Sequence, residues 1–512
     1  MDRRLSVVTA LLVAGLHQSA PRADPSRLDA ALRARARAPH SSSQVIIRTV
    51  PDLPIDEAVR RAGGVTIRSL GGSSVLASIP DRNLEQLAAS RGVASVSADR
   101  LVISTAVVAG RARASVIRVP QALGVDGCGV GVATIDSGIS AAHDTIAAGR
   151  VVHWMDFVSH LEVPYDDYGH GTHVAGIIAA SDSGGDRRGV APGASLIVLK
   201  ALDGTGSGRV SDVIAAVDYA IANRDRFNIR VINLSVAASV YESYHTDPLA
   251  QAALRAVRAG IVVVAAAGNF GRTPTGETQM GSIAAPGNAP WVLTVGASDD
   301  RATPDPADDV VAAFSSRGPT AIDGLPKPDL IAPGVGIEAA ADPASTLFAL
   351  QPQARAWDDA HLGGLPSLSM SGTSMAAPVV AGTVALIAQA APGLTPNAIK
   401  AILEFTAQPR AGEDDTAQGT GLLNIRGAVA LARQVSMQTD NPVTLEAAAG
   451  GTRSWSRRII WGVQRLTGEV FTPVMRAWDL DVPWGEDGRA SGQPVTWGAL
   501  CAPERAGCGT PR

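Results

Sequence analysis

The sequence is short of thiols, amines and long apolar runs. Cys128, Cys501 and Cys508 are its only cysteines, and lysine occurs only at positions 200, 327 and 400. Three thiols close at most one disulfide, so no cystine framework holds the chain together. Cys501 and Cys508 are near neighbours and could pair in an oxidising compartment, leaving Cys128 free. Charged residues make up 18% of the chain and the net charge is -4, which favours no nucleic-acid or acidic partner. No segment reads as a membrane span. The apolar run from Leu5 to Leu16 is too short to cross a bilayer as a helix, and Ile261 to Ala267 is shorter still. What is present is apolar bulk. Hydrophobic residues make up 46% of the chain, enough for a large soluble core, and 512 residues exceed one typical domain. Scarce lysine beside abundant arginine and alanine is a compositional mark of a GC-rich bacterial genome.

Four segments place reactive side chains in this background. Ser374 lies in Ser371-Gly-Thr-Ser-Met-Ala-Ala-Pro378, ahead of an apolar run to Ala390 that reads as a buried helix. Gly372 allows a tight turn, and the N–H groups of a helix start favour a developing oxyanion. Pro378 is expected in the first turn of that helix. Val130 to Ile135 reads as a buried strand that ends at Asp136-Ser-Gly138. His170 opens a second apolar helix in Tyr168-Gly-His-Gly-Thr-His173. Gly260 to Asn269 is an apolar strand ending in Gly268-Asn269, whose side-chain amide can donate to an oxyanion. A capped core helix would account for Ser374 alone. A metal pair would account for His170 and His173, but no Glu follows as in His-Glu-x-x-His and no third ligand is near.

Together these motifs resemble the subtilisin-like serine proteases, the subtilases. The chain order Asp136, His170, Ser374 is the one subtilisin has, and it differs from chymotrypsin and the α/β-hydrolases. An esterase of the latter type would need a Gly-x-Ser-x-Gly elbow, which is absent. The resemblance implies an α/β fold, a parallel sheet flanked by helices. It also implies Ser374 as nucleophile, His170 as general base and Asp136 as its orienting partner. Asn269 would form the oxyanion hole with the Ser374 N–H, and His173 would be structural. The thiols have no catalytic part.

The resemblance extends to substrate binding. Gly206, Ser207 and Gly208 match the edge that pairs with a peptide as an added strand. Ser235, Val236 and Ala237 match the segment that lines the primary pocket, and Gly268 is assigned to substrate binding with them. The family commonly has glycines where Ala237 and Ala238 stand, so the pocket is expected to be narrowed or the strand shifted. With Phe270, this implies a lean toward apolar substrate side chains. Asp182, Ser183 and Asp186 occupy a loop where many relatives bind calcium. Ser183 replaces the usual carboxamide, and Arg187 and Arg188 oppose a cation, so the solvated-loop reading is preferred. No cofactor is required.

The organisation follows. Residues 1–23 have a basic start and a short apolar core, as in a secretory signal. Residues 24–43 read as a linker or frayed helix. Residues 44–104 show a β-α-β-β-α-β order that suggests a ferredoxin-like α+β unit. In this position it resembles a subtilase propeptide, which helps folding and then inhibits. The junction falls between Asp99 and Ala114 without being fixed. Residues 105–434 form the peptidase domain, closed by a strand-like Gly419 to Ile425. Residues 435–512 are an extension of unknown role holding five of the eight tryptophans. The implied protein is a secreted, autoinhibited endopeptidase acting on polypeptides.

Overall fold

The computed structural model describes residues 27–106, 123–181, 188–356 and 366–436, then 443–444, 456, 458–461, 464–467 and 470–471. Within these spans, positions 51, 52, 54, 141, 142, 144, 145, 147, 148, 302, 304, 306 and 307 are not described. The chain opens with α1 (Ala30–Arg37), in the segment read as a linker or frayed helix. Asp29 caps it through Leu32 N at 2.7 Å, and Leu32 is fully buried. One buried leucine among alanines and arginines gives little periodicity to see in sequence. Then come β1 (Ser42–Thr49), α2 (Asp56–Arg61), β2 (Val65–Leu70), β3 (Ser74–Pro80), α3 (Leu84–Ala88) and β4 (Val93–Ala98). The sheet order is β2-β3-β1-β4, every pair antiparallel, as the ferredoxin-like pattern implies. Val45, Ile47, Ile79, Leu84 and Leu87 fill its core.

After a short β5 (Leu101–Ser104), the larger domain alternates strands and helices. Its elements are β6 (Gly131–Asp136), β7 (Val151–Asp156), α4 (His170–Ala179), β8 (Ser195–Lys200), β9 (Ser207–Arg209), α5 (Val210–Ala222), β10 (Ile229–Leu234) and β11 (Val236–Ala238). There follow α6 (Pro248–Arg258), β12 (Val262–Ala266), β13 (Leu293–Asp299), β14 (Val310–Val311), β15 (Leu330–Pro333) and β16 (Ile337–Ala340). The last are α7 (Thr346–Leu350), β17 (Arg355–Ala356), β18 (Ser367–Met370), α8 (Thr373–Ala390), α9 (Pro396–Thr406), α10 (Asp415–Gln418) and α11 (Ile425–Ser436). Strands β7-β8-β6-β10-β12-β13-β15 run parallel, and β14 adds antiparallel to β13. Runs such as Val262-Val-Val-Ala-Ala266 are buried along their whole length, as strands covered on both faces must be. The expected closing strand is instead a pair of bridges at Leu422, to Ile331 and Gln408, and α11 begins at Ile425.

Helix α8 packs against β10, β12, β13 and β15. Among the described residues it is the one helix long and apolar enough to cross a membrane, and it is almost wholly buried in the fold. Pro378 is its sixth residue, not in its first turn as expected. Proline has no N–H, so the Ser374 carbonyl loses its helical partner. The Ser235 hydroxyl donates to that carbonyl instead, at 2.9 Å.

All three lysines are buried, at 0%, 1% and 4% exposure for Lys200, Lys327 and Lys400. Lys200 donates to Asp167 Oδ1 and to the carbonyls of Ser137 and Leu202. Lys327 and Lys400 share the buried Asp329 carboxylate. Lys400 also neighbours Glu404, whose Oε2 accepts Ile460 N at 2.9 Å. That last contact comes from a hairpin of Arg458–Trp461 and Gln464–Thr467. Ile459 is fully buried, and Arg458 pairs with Asp415. This hairpin of the C-terminal extension is therefore docked on α9 and α10.

Candidate active site

Asp136 is the last residue of β6, where the chain order of the sheet turns from one side to the other. Such a switch point leaves a crevice at the carboxyl ends of the strands. α4 starts there with His170, so close that a Cβ on Gly171 would lie 2.3 Å from the Gly138 carbonyl. Only glycine fits that approach. His170 Nδ1 lies 2.7 Å from Asp136 Oδ1. An ionised carboxylate only accepts, so Nδ1 carries the proton and Nε2 is the free base. Nε2 is buried with no hydrogen-bond partner among the described residues.

Ser374 lies on the first turn of α8. Its Oγ accepts Thr105 N–H at 3.0 Å, meets the Thr105 hydroxyl and lies 3.2 Å from the Ser235 carbonyl. The Thr105 hydroxyl thus takes a position on the nucleophile, and Ser374 makes no hydrogen bond to His170. Asn269 follows β12. Its Oδ1 accepts both Thr373 N–H and the Thr373 hydroxyl, each at 2.9 Å. That fixes the amide so that Nδ2 donates to the Thr105 carbonyl. A Cβ on Gly372 would lie 2.4 Å from the same carbonyl. Glycine is needed at 372 for the peptide to enter.

The segments that the resemblance assigns to substrate binding meet at one strand. β5 lies between β9 and β11, antiparallel to both. Ile103 pairs with Ser207 on one side and Ala237 on the other, and Val102 with Gly208 and Ala238. Gly206 accepts Ser104 N–H at 2.9 Å. The chain's own segment Leu101 to Thr105 is therefore the central strand between the two segments that the resemblance assigns to substrate binding. Thr105 is the residue presented to Ser374, and Val102 is fully buried. Ser235 bridges Asn233 Nδ2 and the Ser374 carbonyl. Gly268 N donates to Thr373 Oγ1 at 3.1 Å, and Phe270 is exposed beside it.

His173 is buried on α4, and its Nε2 bonds the carbonyls of Ile337 and Leu368. Burial, with the nearby His170, pushes its pKa down to about 4. It is a neutral strut between α4 and the sheet of β16 and β18. Among the described residues no group of three or more His, Cys, Asp or Glu could hold a metal ion. Asp182, Ser183 and Asp186 lie outside the described residues, as do Cys501, Cys508, residues 1–23 and most of the extension. Cys128 is exposed and free. Sequence reasoning did not find Thr105, Thr373 or the buried Asp166. Only Asp166 left a signal, a carboxylate shortly ahead of a helix start.

A serine on the first turn of a helix, a carboxylate-held imidazole and a fixed side-chain amide define a serine hydrolase of the acyl-transfer class. The chain belongs to the subtilase family (Peptidase S8), whose model matches residues 127–428, and it is a subtilisin-like serine protease. It is 41% identical to serine protease AprX of Bacillus subtilis over 337 residues, 64% of this chain and 72% of that protein. Subtilisin DY of Bacillus licheniformis is 34% identical over 308 residues, covering 60% of this chain and 93% of that one. Subtilisin E of Bacillus subtilis is 36% identical over 306 residues, covering 60% and 67%. Among solved structures, fervidolysin from Fervidobacterium pennivorans, described as a keratinolytic enzyme related to subtilisin, matches with a TM-score of 0.60. That match covers 79% of this chain and 63% of fervidolysin at 24% identity, and it speaks for the fold.

Proposed function

We propose that the chain is an endopeptidase precursor that cuts itself between Thr105 and Ala106 and is then held off by its own N-terminal domain. The observation that carries this is the placement of Thr105. Its carbonyl accepts from Asn269 while Ser374 Oγ lies at its N–H and hydroxyl. In this reading Ser374 attacks the Thr105 carbonyl carbon and His170 Nε2 takes the hydroxyl proton. Asp136 holds the imidazole tautomer and stabilises the imidazolium. Asn269 Nδ2 and the Ser374 N–H take the charge that develops on the carbonyl oxygen. The proton then passes to the Ala106 amine, which leaves, and water hydrolyses the acyl-enzyme.

After that cut, β5 stays between β9 and β11 as a product-like inhibitor. The domain boundary then falls at 105/106, and the inhibitory unit includes α1. The same groove takes extended polypeptide substrates once β5 leaves. The small Thr105 favours small substrate residues at the cut, and buried Val102 favours an aliphatic residue three positions before it. Export through residues 1–23 belongs to the same reading. No cofactor enters these steps. Asp182, Ser183 and Asp186 are read as a solvated loop, so a chelator is expected to leave thermal stability unchanged, and a lowered Tm would instead assign them a structural calcium ion.

The deciding experiment follows the full chain beside Ser374→Ala and sequences the new N-terminus. The parent should give a product beginning at Ala106 and turn over casein, while Ser374→Ala stays whole. A new N-terminus elsewhere, or an uncut parent, would overturn the assignment.

A further inference from the structure

Asp166 is a buried carboxylate that the steps above do not use. It is 3% exposed and accepts four hydrogen bonds. Ser137 Oγ and Gly169 N reach Oδ1 at 2.8 and 2.7 Å. Thr172 N and Thr172 Oγ1 reach Oδ2 at 2.7 and 2.6 Å. Neither hydroxyl is free to turn. Ser137 Oγ accepts Gly171 N at 2.9 Å, and Thr172 Oγ1 accepts Ser140 N at 2.9 Å. Both hydroxyl protons therefore point at Asp166, and every partner donates. Only an ionised carboxylate satisfies four donors; an amide or a protonated acid brings hydrogens to face hydrogens. Burial pushes the Asp166 pKa up, and the donors from Thr172, Gly169 and Ser137 oppose it.

The placement of these donors matters more than their number. Three of the four come from Gly169 and Thr172, on the two sides of His170, and the fourth from Ser137, next to Asp136. Asp166 holds the Gly169 and Thr172 amides, and Ser137 holds the Gly171 amide between them. Ser137 in turn donates its own N–H to Asp136 Oδ1 at 2.7 Å. One serine thus touches both carboxylates and the backbone of the base.

We infer that Asp166 is a positioning residue. Through Ser137 and the first turn of α4 it fixes the His170 imidazole against Asp136, and its buried charge favours the imidazolium. The inference rests on the catalytic roles proposed above and adds a residue that touches no substrate. Misplacing a base by about 1 Å costs on the order of 10²-fold in rate.

The test uses the self-processed full chain, Asp166→Asn and Thr172→Val, each titrated with a serine-reactive fluorophosphonate so that only competent enzyme is counted. Asp166→Asn should lower kcat per titrated site about 10²-fold with KM within about twofold. The acid limb of its pH profile should move down by roughly 0.5–1 pH unit, because the imidazolium has lost a nearby negative charge. Thr172→Val keeps the charge and loses one donor, so kcat should fall about 3–10-fold with the acid limb unmoved. An Asp166→Asn enzyme with parental kcat, or with an unmoved acid limb, overturns the inference. If Asp166→Asn yields no folded protein, Thr172→Val decides: a parental kcat overturns the inference and a reduced one supports it. A parent that neither takes the label nor cleaves peptide removes the triad assignment itself, and the inference with it. That failure is told apart because it appears before any variant is compared.

Discussion

Asn269 has its amide orientation set before substrate arrives, because Thr373 supplies two donors to Oδ1. Asn269→Ala should therefore lower kcat about 10²–10³-fold with little change in KM, the size known for this donor in subtilisin itself. Thr373→Val keeps its backbone donor and loses the hydroxyl one. The amide can then flip, and a smaller loss of roughly tenfold in kcat is expected from one buried hydrogen bond. Steady-state kinetics on a single peptide check both. Gly171→Ala is a different kind of change. Its Cβ would press on the Gly138 carbonyl that follows Asp136, so α4 must back away from the strand tip. A fall in kcat is expected with secondary structure unchanged by circular dichroism.

At the scale of elements, the hairpin after residue 457 covers the end of the buried charge network. A chain ending at Ser436 would leave the Glu404 carboxylate without the Ile460 N–H and would expose the site of Ile459. Lost burial of one aliphatic side chain and one lost hydrogen bond amount to about 2–4 kcal/mol. A lower Tm in the truncated chain by calorimetry is the expected result, and an unchanged Tm would show that the hairpin contributes nothing. Burial pushes Glu404 well above the usual carboxylate range, with Lys400 and the Ile460 N–H opposing it. This docking shows what was not legible. The motifs around Asp136, His170, Asn269 and Ser374 are local, each a strand end or helix start with its own punctuation, and they could be read in order along the chain. Thr105 carries no motif. Its place depends on β5 fitting between β9 and β11, which lie 100 and more residues further along. The packing of Ile459 and the helix around Leu32 likewise depend on partners that no window of sequence contains.

At the scale of the molecule, the small domain sits on the larger one through charge as well as strand pairing. Asp99 caps the start of α5 through Ser211, Arg68 meets Asp212, and Arg100 meets the buried Asp247. Glu242 lies inside this contact. It faces Asp29 and Ser97 from the small domain, and Thr246 and Asp247 from its own. Burial and the Asp247 charge push it up to about 7, and burial raises Asp99 as well. A carboxyl raised on docking binds best when protonated. Docking is then strongest below the ordinary carboxylate range, weakens as pH climbs toward about 7, and is level above it. A Ser374→Ala chain nicked at a foreign protease site placed within residues 107–117 separates docking from catalysis. Its two parts should dissociate more readily at pH 8 than at pH 5 by size-exclusion chromatography. Glu242→Gln should flatten that difference, and an equally steep response in Glu242→Gln would rule Glu242 out as its source.

The burial of Lys200, Lys327 and Lys400 has a practical outcome. Acylating dyes and cross-linkers that seek ε-amines find none on the folded surface, so the α-amino groups are the only amines left to react. Each backbone cut creates one more of these. A folded sample treated with a succinimidyl dye would thus work as a cleavage counter, gaining one fluorophore per chain when the Thr105–Ala106 bond opens.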